Sequence, residues 1–333
     1  MLAKLERELP RGSYLYEPKW DGFRALVFRT GDDVDLRSRH GRPLARYFPE
    51  LVEGVLALDA ERFVLDGEIV LPRGDTFDFP ALMARLHPAR SRVERLRVET
   101  PTSLIAFDLL ALGDDDLRER PFVERRELLE QLLATGRPPL YVTPATSDAA
   151  LATTWLERYE GVVAKHETLP YLPGKRVMVK VKRDRTADCV VAGIRWLGDR
   201  PLPSSLLLGL YDDDGALQHV GVATGFAERR RHELLAELGP LIAPLEGHPW
   251  EHGFLLAGGP TGRLKGSAGR WTPDMDLEWT PVVPERVAEV AYDQLDDRRF
   301  RHPGRFRRWR PDHDPRSCTL DQLETAEAPA LPR

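Results

Sequence analysis

Two apolar periods organise the chain. In its first half, short runs rich in β-branched and aliphatic side chains at 25–28, 63–71, 104–110 and 161–164 read as strands. Between them lie helical patterns at 121–133 and 149–159, the first opened by Pro121, which suits an initial helical turn. The segment 135–139 carries loop signals. This mixture predicts sheets flanked by helices, an α+β arrangement.

The character changes after Lys182. Strand-like runs at 189–196, 206–211, 217–222 and 287–292 follow, with one helical pattern, 228–238, after the third. An OB-fold β-barrel, which commonly binds oligonucleotides, has five short strands with a helix after the third, and these four runs and their helix follow that order. A chain of 333 residues exceeds what one core usually supports, and an apolar content of 42% can fill two. We therefore expect domains at 1–185 and 186–318, followed by a disordered Ala, Pro and Glu rich tail over 319–333. The stretch 248–275, dense in Gly, Pro and charge, reads as a long loop, either a nucleic-acid contact or a poorly ordered insertion.

Composition narrows the class. Residues 1–14 carry charge throughout, and no run approaches ~20 apolar residues, so neither a secretory signal nor a membrane span is expected and the chain reads as cytoplasmic. Cys189 and Cys318 are too few for a disulfide framework or a four-cysteine zinc site. A net charge of -5 looks wrong for a phosphate-binding protein, but distribution matters more than the total. Seven arginines fall between Arg298 and Arg310, and Lys175, Arg176, Lys180, Lys182, Arg183 and Arg185 form a second cluster. Solvated charged faces are the plainer reading of both. Lysine usage is sharper: only 7 of 48 basic residues are Lys, and four of them, Lys19, Lys165, Lys180 and Lys182, fall in the segments that carry chemistry.

In Glu17-Pro18-Lys19-Trp20-Asp21-Gly22-Phe23-Arg24, a lysine sits on a short loop between strand-like runs, with a glycine that lets the backbone pass closely. A lysine amine attacks only when neutral, which calls for neighbouring cations, a metal or burial; Arg24, Lys180 and Lys182 are the cations at hand. In 37–41, strand alternation sets Arg37 and Arg39 on one face, a pairing suited to phosphate. In 63–71 it separates a core face of Phe63, Leu65, Ile69 and Leu71 from one that aims Asp66 and Glu68 at a cleft. In 179–182 the valines face the core while Lys180 and Lys182 point together, placed to neutralise charge developing on a phosphate. Each segment alone has a bland reading as a surface turn, a solvated hairpin or a salt-bridged face.

Taken in order, the segments resemble the motifs of covalent nucleotidyltransferases, and over nearly its whole length the chain is similar to ATP-dependent DNA ligases of the compact bacterial, LigC-like type. Lys19 to Arg24 matches K-x-D-G-x-R; Arg37-Ser38-Arg39, Asp66-Gly67-Glu68, Ala106-Phe107-Asp108-Leu109, Glu160 to Lys165, Val179 to Lys182 and Arg310-Pro311-Asp312-His313 follow in the family's order. The resemblance implies a nucleotidyltransferase (ATP-grasp-like) adenylation domain followed by an OB-fold domain. It implies that Lys19 takes up AMP from ATP, that Glu17 reads the adenine amino group, and that Phe107 stacks on the base. Arg24, Arg39 and Glu68 would hold the nucleotide, Lys180 and Lys182 its α-phosphate, and Arg310 and Asp312 the leaving pyrophosphate. Glu160, with Glu68, would hold Mg2+ or Mn2+. Nicked duplex DNA, the implied partner, would meet Arg39, Lys165, Arg305, Arg307 and Arg308, and a monomer is expected.

Two positions depart from the family: His313 stands at a usual lysine, and Met178 where many relatives have Trp. The resemblance further implies no zinc finger, no repeat module and no N-terminal helical extension, so NAD is not expected as donor. An RNA ligase or a capping guanylyltransferase, which share Lys19, Glu160, Lys180 and Lys182, is the alternative enzyme; a silent nucleic-acid-binding scaffold is the alternative outside enzymes.

Overall fold

The computed structural model describes every residue except 75, 184, 199, 255–277, 297, 324–330 and 333. The chain divides into two units, 1–183 with 326–333, and 184–325.

In the first unit, the strand Arg62–Val70 buries Phe63, Leu65, Asp66, Ile69 and Val70 because it lies in the middle of a sheet ordered Leu140–Val142, Ser103–Leu112, Arg62–Val70, Phe23–Thr30, Asp33–Ser38. Leu51 and Val55 of the helix Pro49–Leu56, and Leu129 of the helix Phe122–Leu132, close the core against it. A second sheet runs Leu2–Glu6, Arg176–Val181, Val162–His166, Tyr14–Pro18. Its pairing sets Lys165 opposite Leu15 and Val163 opposite Glu17.

Asp66 and Asp108 face each other across the central strand pair, 0% and 1% exposed. Two adjacent buried carboxylates are tolerable only if each is neutralised and hydrogen-bonded. Arg24 donates to both Asp66 oxygens at 2.9 and 2.6 Å, and Arg125 to both Asp108 oxygens at 2.8 and 2.9 Å. The buried stripe of the helix Phe122–Leu132 therefore reads Phe122, Arg125, Arg126, Leu129.

The second unit is a closed barrel in the order Arg185–Leu197, Arg200–Tyr211, Leu217–Thr224, Gly304–Trp309, Thr280–Tyr292, with the helix Glu228–Leu238 after the third strand, the layout of an OB-fold. Its first two strands, at 13 and 12 residues, are longer than the runs that predicted them, because register shifts near Val191 and Arg195 let them bend around the barrel. The loop expected over 248–275 begins inside the core: Trp250 is buried and its indole donates to Leu217 O at 2.7 Å. The remainder of that loop, from 255, lies outside the described residues. Residues 319–323, expected as the start of the tail, are packed instead. Leu323 is buried, and Gln322 Oε1 accepts from Asp188 N at 2.9 Å, so 319–323 belong to the barrel unit, while 324–330 and 333 lie outside the described residues.

His219 gives this unit an acid-sensitive point. Its buried ring lies 5.5 Å from that of Trp250 and 5.0 Å from that of Phe254. Burial, aided by the charges of Arg299 and Arg195, pushes its pKa down to about 3. An unfolded histidine titrates near 6.5, so from there down to about 3 the unfolded chain binds the extra proton and stability falls as pH drops. His219→Phe should therefore lose less denaturation midpoint than the parent between pH 7 and pH 4. An equal loss in both proteins would show that His219 is not the group responsible.

Candidate active site

The site begins with the loop between Tyr14–Pro18 and Phe23–Thr30. Lys19 N donates to Gly161 O at 2.9 Å, and the indole of Trp20 donates to Thr143 Oγ1 at 2.9 Å, with the Phe77 and Tyr159 rings edge-on to it. Gly22 has to be glycine: a Cβ there would stand 2.1 Å from Ile69 O, on backbone that cannot give way cheaply. Thus fixed on both sides, Lys19 enters a cleft of about 500 Å³.

Among the residues lining that cleft are Glu17, Arg24, Arg39, Glu68, Phe107 and Lys180. Glu160 and Lys182 join through charge. The Glu160 carboxylate bridges two ammonium groups, Lys19 Nζ on Oε2 and Lys182 Nζ on Oε1, the latter at 2.8 Å. Burial alone would raise the Glu160 pKa, but Lys19 and Lys182 together bring it below the ordinary carboxylate value. Glu68 goes the other way. Burial, reinforced by the Glu160 charge and only partly opposed by Lys19, pushes it up to about 8.

These two carboxylates are the groups that would hold a divalent cation. The Lys19 and Arg24 charges offset the burial of Glu68 only in part, and the donors are hard oxygens, which fits Mg2+ or Mn2+ bound by one or two carboxylates together with substrate phosphates. No cluster of three or more His, Cys, Asp or Glu suited to a metal occurs among the described residues.

Several expectations change. Asp66 does not aim at the cleft as an available acid, because Arg24 and, at 2.8 Å, the Tyr171 hydroxyl occupy it. Arg37 and Arg39 do not act as a pair: the strand ends at Ser38, Arg37 is held by Asp35 at 2.6 Å, and Arg39 follows in a turn and reaches the cleft. Lys165 is not placed to touch DNA. It is 2% exposed, with Nζ 2.8 Å from Glu17 Oε2 and 2.8 Å from Phe107 O, between the Phe107 and Phe122 rings. The basic cluster over 175–185 is no single surface either, since Lys180 lines the cleft, Lys182 holds Glu160 and Arg185 is buried.

In the barrel unit, Arg305, Arg307 and Arg308 are exposed on Gly304–Trp309, Arg308 being paired with Glu289 at 2.7 Å. Arg310 donates to Asp188 at 2.9 Å and to both Asp312 oxygens at 3.1 and 3.0 Å. Those hydrogen bonds lower the Asp312 pKa to about 2. His313, at the position of the usual lysine, turns Nδ1 toward Asp188 at 3.3 Å.

Two residues at this site were not singled out from sequence, Arg126 and Thr143. A signal existed for the first: adjacent arginines occupy the i+3 and i+4 positions after Phe122, where the apolar stripe should continue. Thr143 carries none.

Residues 1–182 match the family described as "ATP dependent DNA ligase domain", and 199–313 match "ATP dependent DNA ligase C terminal region". The chain belongs to the ATP-dependent DNA ligase family. This ligase is 51% identical to DNA ligase C2 of Mycolicibacterium smegmatis over 332 residues, 98% of this chain and 94% of that relative. It is 49% identical to DNA ligase C of Mycobacterium tuberculosis, over 97% of this chain and 93% of the relative. A solved structure from a study of Lig E DNA ligases shares its fold, with a TM-score of 0.56 and 18% identity, covering 93% of this chain and 98% of that one. The expected α+β architecture, adenylation domain then OB-fold barrel, is thus the fold this ligase has. No helix among its described residues is long and apolar enough to cross a membrane.

Proposed function

We propose that this ligase seals 5′-phosphate/3′-hydroxyl nicks in duplex DNA for repair, as a cytoplasmic monomer using ATP and Mg2+ or Mn2+. The observation that carries the reading is Lys19 projecting into the cleft with its amine and that of Lys182 sharing one carboxylate.

The reaction is three displacements at phosphorus. Lys19 Nζ bonds to the α-phosphate of ATP and the bond to pyrophosphate breaks; the AMP then moves to a 5′-phosphate; the 3′-hydroxyl finally displaces it. Lys19 attacks once it has given up its proton to solvent; Glu160 Oε2, held below the ordinary carboxylate value, is too weak a base to take that proton and serves to aim the amine. Lys180 and Lys182 supply the positive charge that the α-phosphate needs in every step. A bound divalent cation would add charge neutralisation at the phosphates. Phe107, a partly exposed ring on the cleft wall, offers the base a stacking face, and Glu17 an acceptor. We assign phosphate contacts of the DNA to Arg39, Arg305, Arg307 and Arg308. The reading also keeps a division of labour between the first unit and the barrel unit, the latter beginning with the strand Arg185–Leu197 and including 319–323.

The test is to mix purified protein with α-labelled ATP and nicked duplex DNA or nicked RNA. A protein adduct, a DNA-adenylate and sealed DNA are expected in turn; no adduct, or sealing confined to RNA, would overturn the reading. Arg310 and Asp312 separate the steps further, because pyrophosphate is present only while ATP is cleaved. Alanine at either should reduce Lys19 adenylation severely while leaving the sealing of a pre-adenylated nick closer to normal. Asp312→Ala is the cleaner probe, since Arg310→Ala also strips Asp188 of its main partner. Equal loss of both activities would make the two residues supports of the barrel.

A further inference from the structure

We propose that Arg126 is a positioning residue for purine selection, holding the Glu17 carboxylate as a hydrogen-bond acceptor at the wall of the cleft. The inference rests on the reading of Glu17 as the contact to the adenine amino group.

Glu17 is almost wholly buried, two residues before the nucleophile, on the strand Tyr14–Pro18. A carboxylate in such a place tends to take up a proton, and burial does raise its pKa, with Lys165 and Arg126 as the charges that oppose the rise. The two cations divide its oxygens: Lys165 Nζ stands 2.8 Å from Oε2 and Arg126 Nη1 3.4 Å from Oε1. Arg126 is itself braced, since Nε donates to Glu130 at 2.6 Å and Nη2 to Thr143 O at 2.6 Å. The hydroxyl of the same Thr143 receives the Trp20 indole. One residue therefore steadies both flanks of Lys19, Trp20 directly and Glu17 through Arg126.

The chemistry at the base follows from what the carboxylate can do. Adenine presents an amino donor where guanine presents a carbonyl oxygen. An ionised, fixed carboxylate accepts from the first and repels the second, whereas a protonated or displaced one loses that distinction. Without Arg126, Lys165 still clamps Oε2, but Oε1 loses its cation and its fixed direction.

The experiment is single-turnover self-adenylation of the full chain with ATP and with GTP. In Arg126→Met the ATP-over-GTP ratio of kcat/KM should fall about ten-fold or more, the scale of a lost hydrogen bond to a charged group, and chiefly through KM for ATP. Arg126→Lys should restore part of the ratio. Adding Arg126→Met to Glu17→Gln should move the ratio no further than Glu17→Gln alone, because both act on one contact. A role confined to folding would slow both nucleotides in proportion and leave the ratio at the parent value, which overturns the inference. If Glu17→Gln changes the ratio and the Arg126 variants do not, only the inference falls; if Glu17→Gln itself leaves the ratio unchanged, the Glu17 reading falls and takes the inference with it. Should Arg126→Met fail to fold, Arg126→Gln is read by the same ratio, since it keeps an N–H for Thr143 O while dropping the charge.

Discussion

Lys19→Ala should take up no label from ATP at all, because no other amine in the cleft is held on the loop that presents the nucleophile. The side chain is partly exposed and its anchoring contact is made by its backbone to Gly161, so the variant should fold and melt near the parent. Intact-mass measurement after incubation with ATP should show one adenylyl group on the parent and none on the variant. Sealing of a pre-adenylated nick should survive to a far greater extent, since that step needs no lysine adduct. An adenylated Ala variant would remove Lys19 from the mechanism.

Arg125→Ala should be the most damaging single change to the stability of the first unit. Arg125 and Asp108 are buried to within 1% of fully enclosed, and the guanidinium also serves Arg120 O at 2.6 Å and Leu169 O at 2.9 Å. Removing one member of such a pair leaves an uncompensated charge and typically costs about 3–5 kcal/mol, a large fraction of the roughly 5–15 kcal/mol that holds a domain together. The double change Arg125→Met with Asp108→Leu should be milder than Arg125→Ala, because no buried charge is left behind. Urea denaturation of the three proteins checks this; a cost below about 1 kcal/mol for Arg125→Ala would show that solvent or rearrangement compensates.

What the sequence made readable follows from which contacts are local in it. Strand alternation was enough to send Ile69 to the core and Glu68 to the cleft, and the Lys19 loop was recognisable because its glycine and nucleophile lie within a few residues. The OB-fold order was visible for the same reason, although bulged strands ran beyond their apolar runs. Lys165 was misplaced because nothing adjacent to it announces Glu17, which meets it only through the pairing of Tyr14–Pro18 with Val162–His166. Arg126 lies 109 residues from Glu17, and in a helical pattern an arginine reads as solvated until the strand beneath it is known. Asp66 shows the converse failure. Its face was right, but its partner, Arg24, was counted as a cation for Lys19 rather than for the neighbouring strand.

On the proposed function, the Glu160 bridge would turn nucleotide entry into an ion exchange. Two ammonium groups share one carboxylate, so the arriving polyphosphate does not meet bare cations; its oxygens compete with Glu160 for Lys19 and Lys182. Small multivalent anions should then act as competitors of ATP at the entry step, and more strongly than monovalent salt at equal ionic strength. The same bridge keeps the idle cleft from being an open anion trap, which matters for an enzyme that works beside a polymer of phosphates.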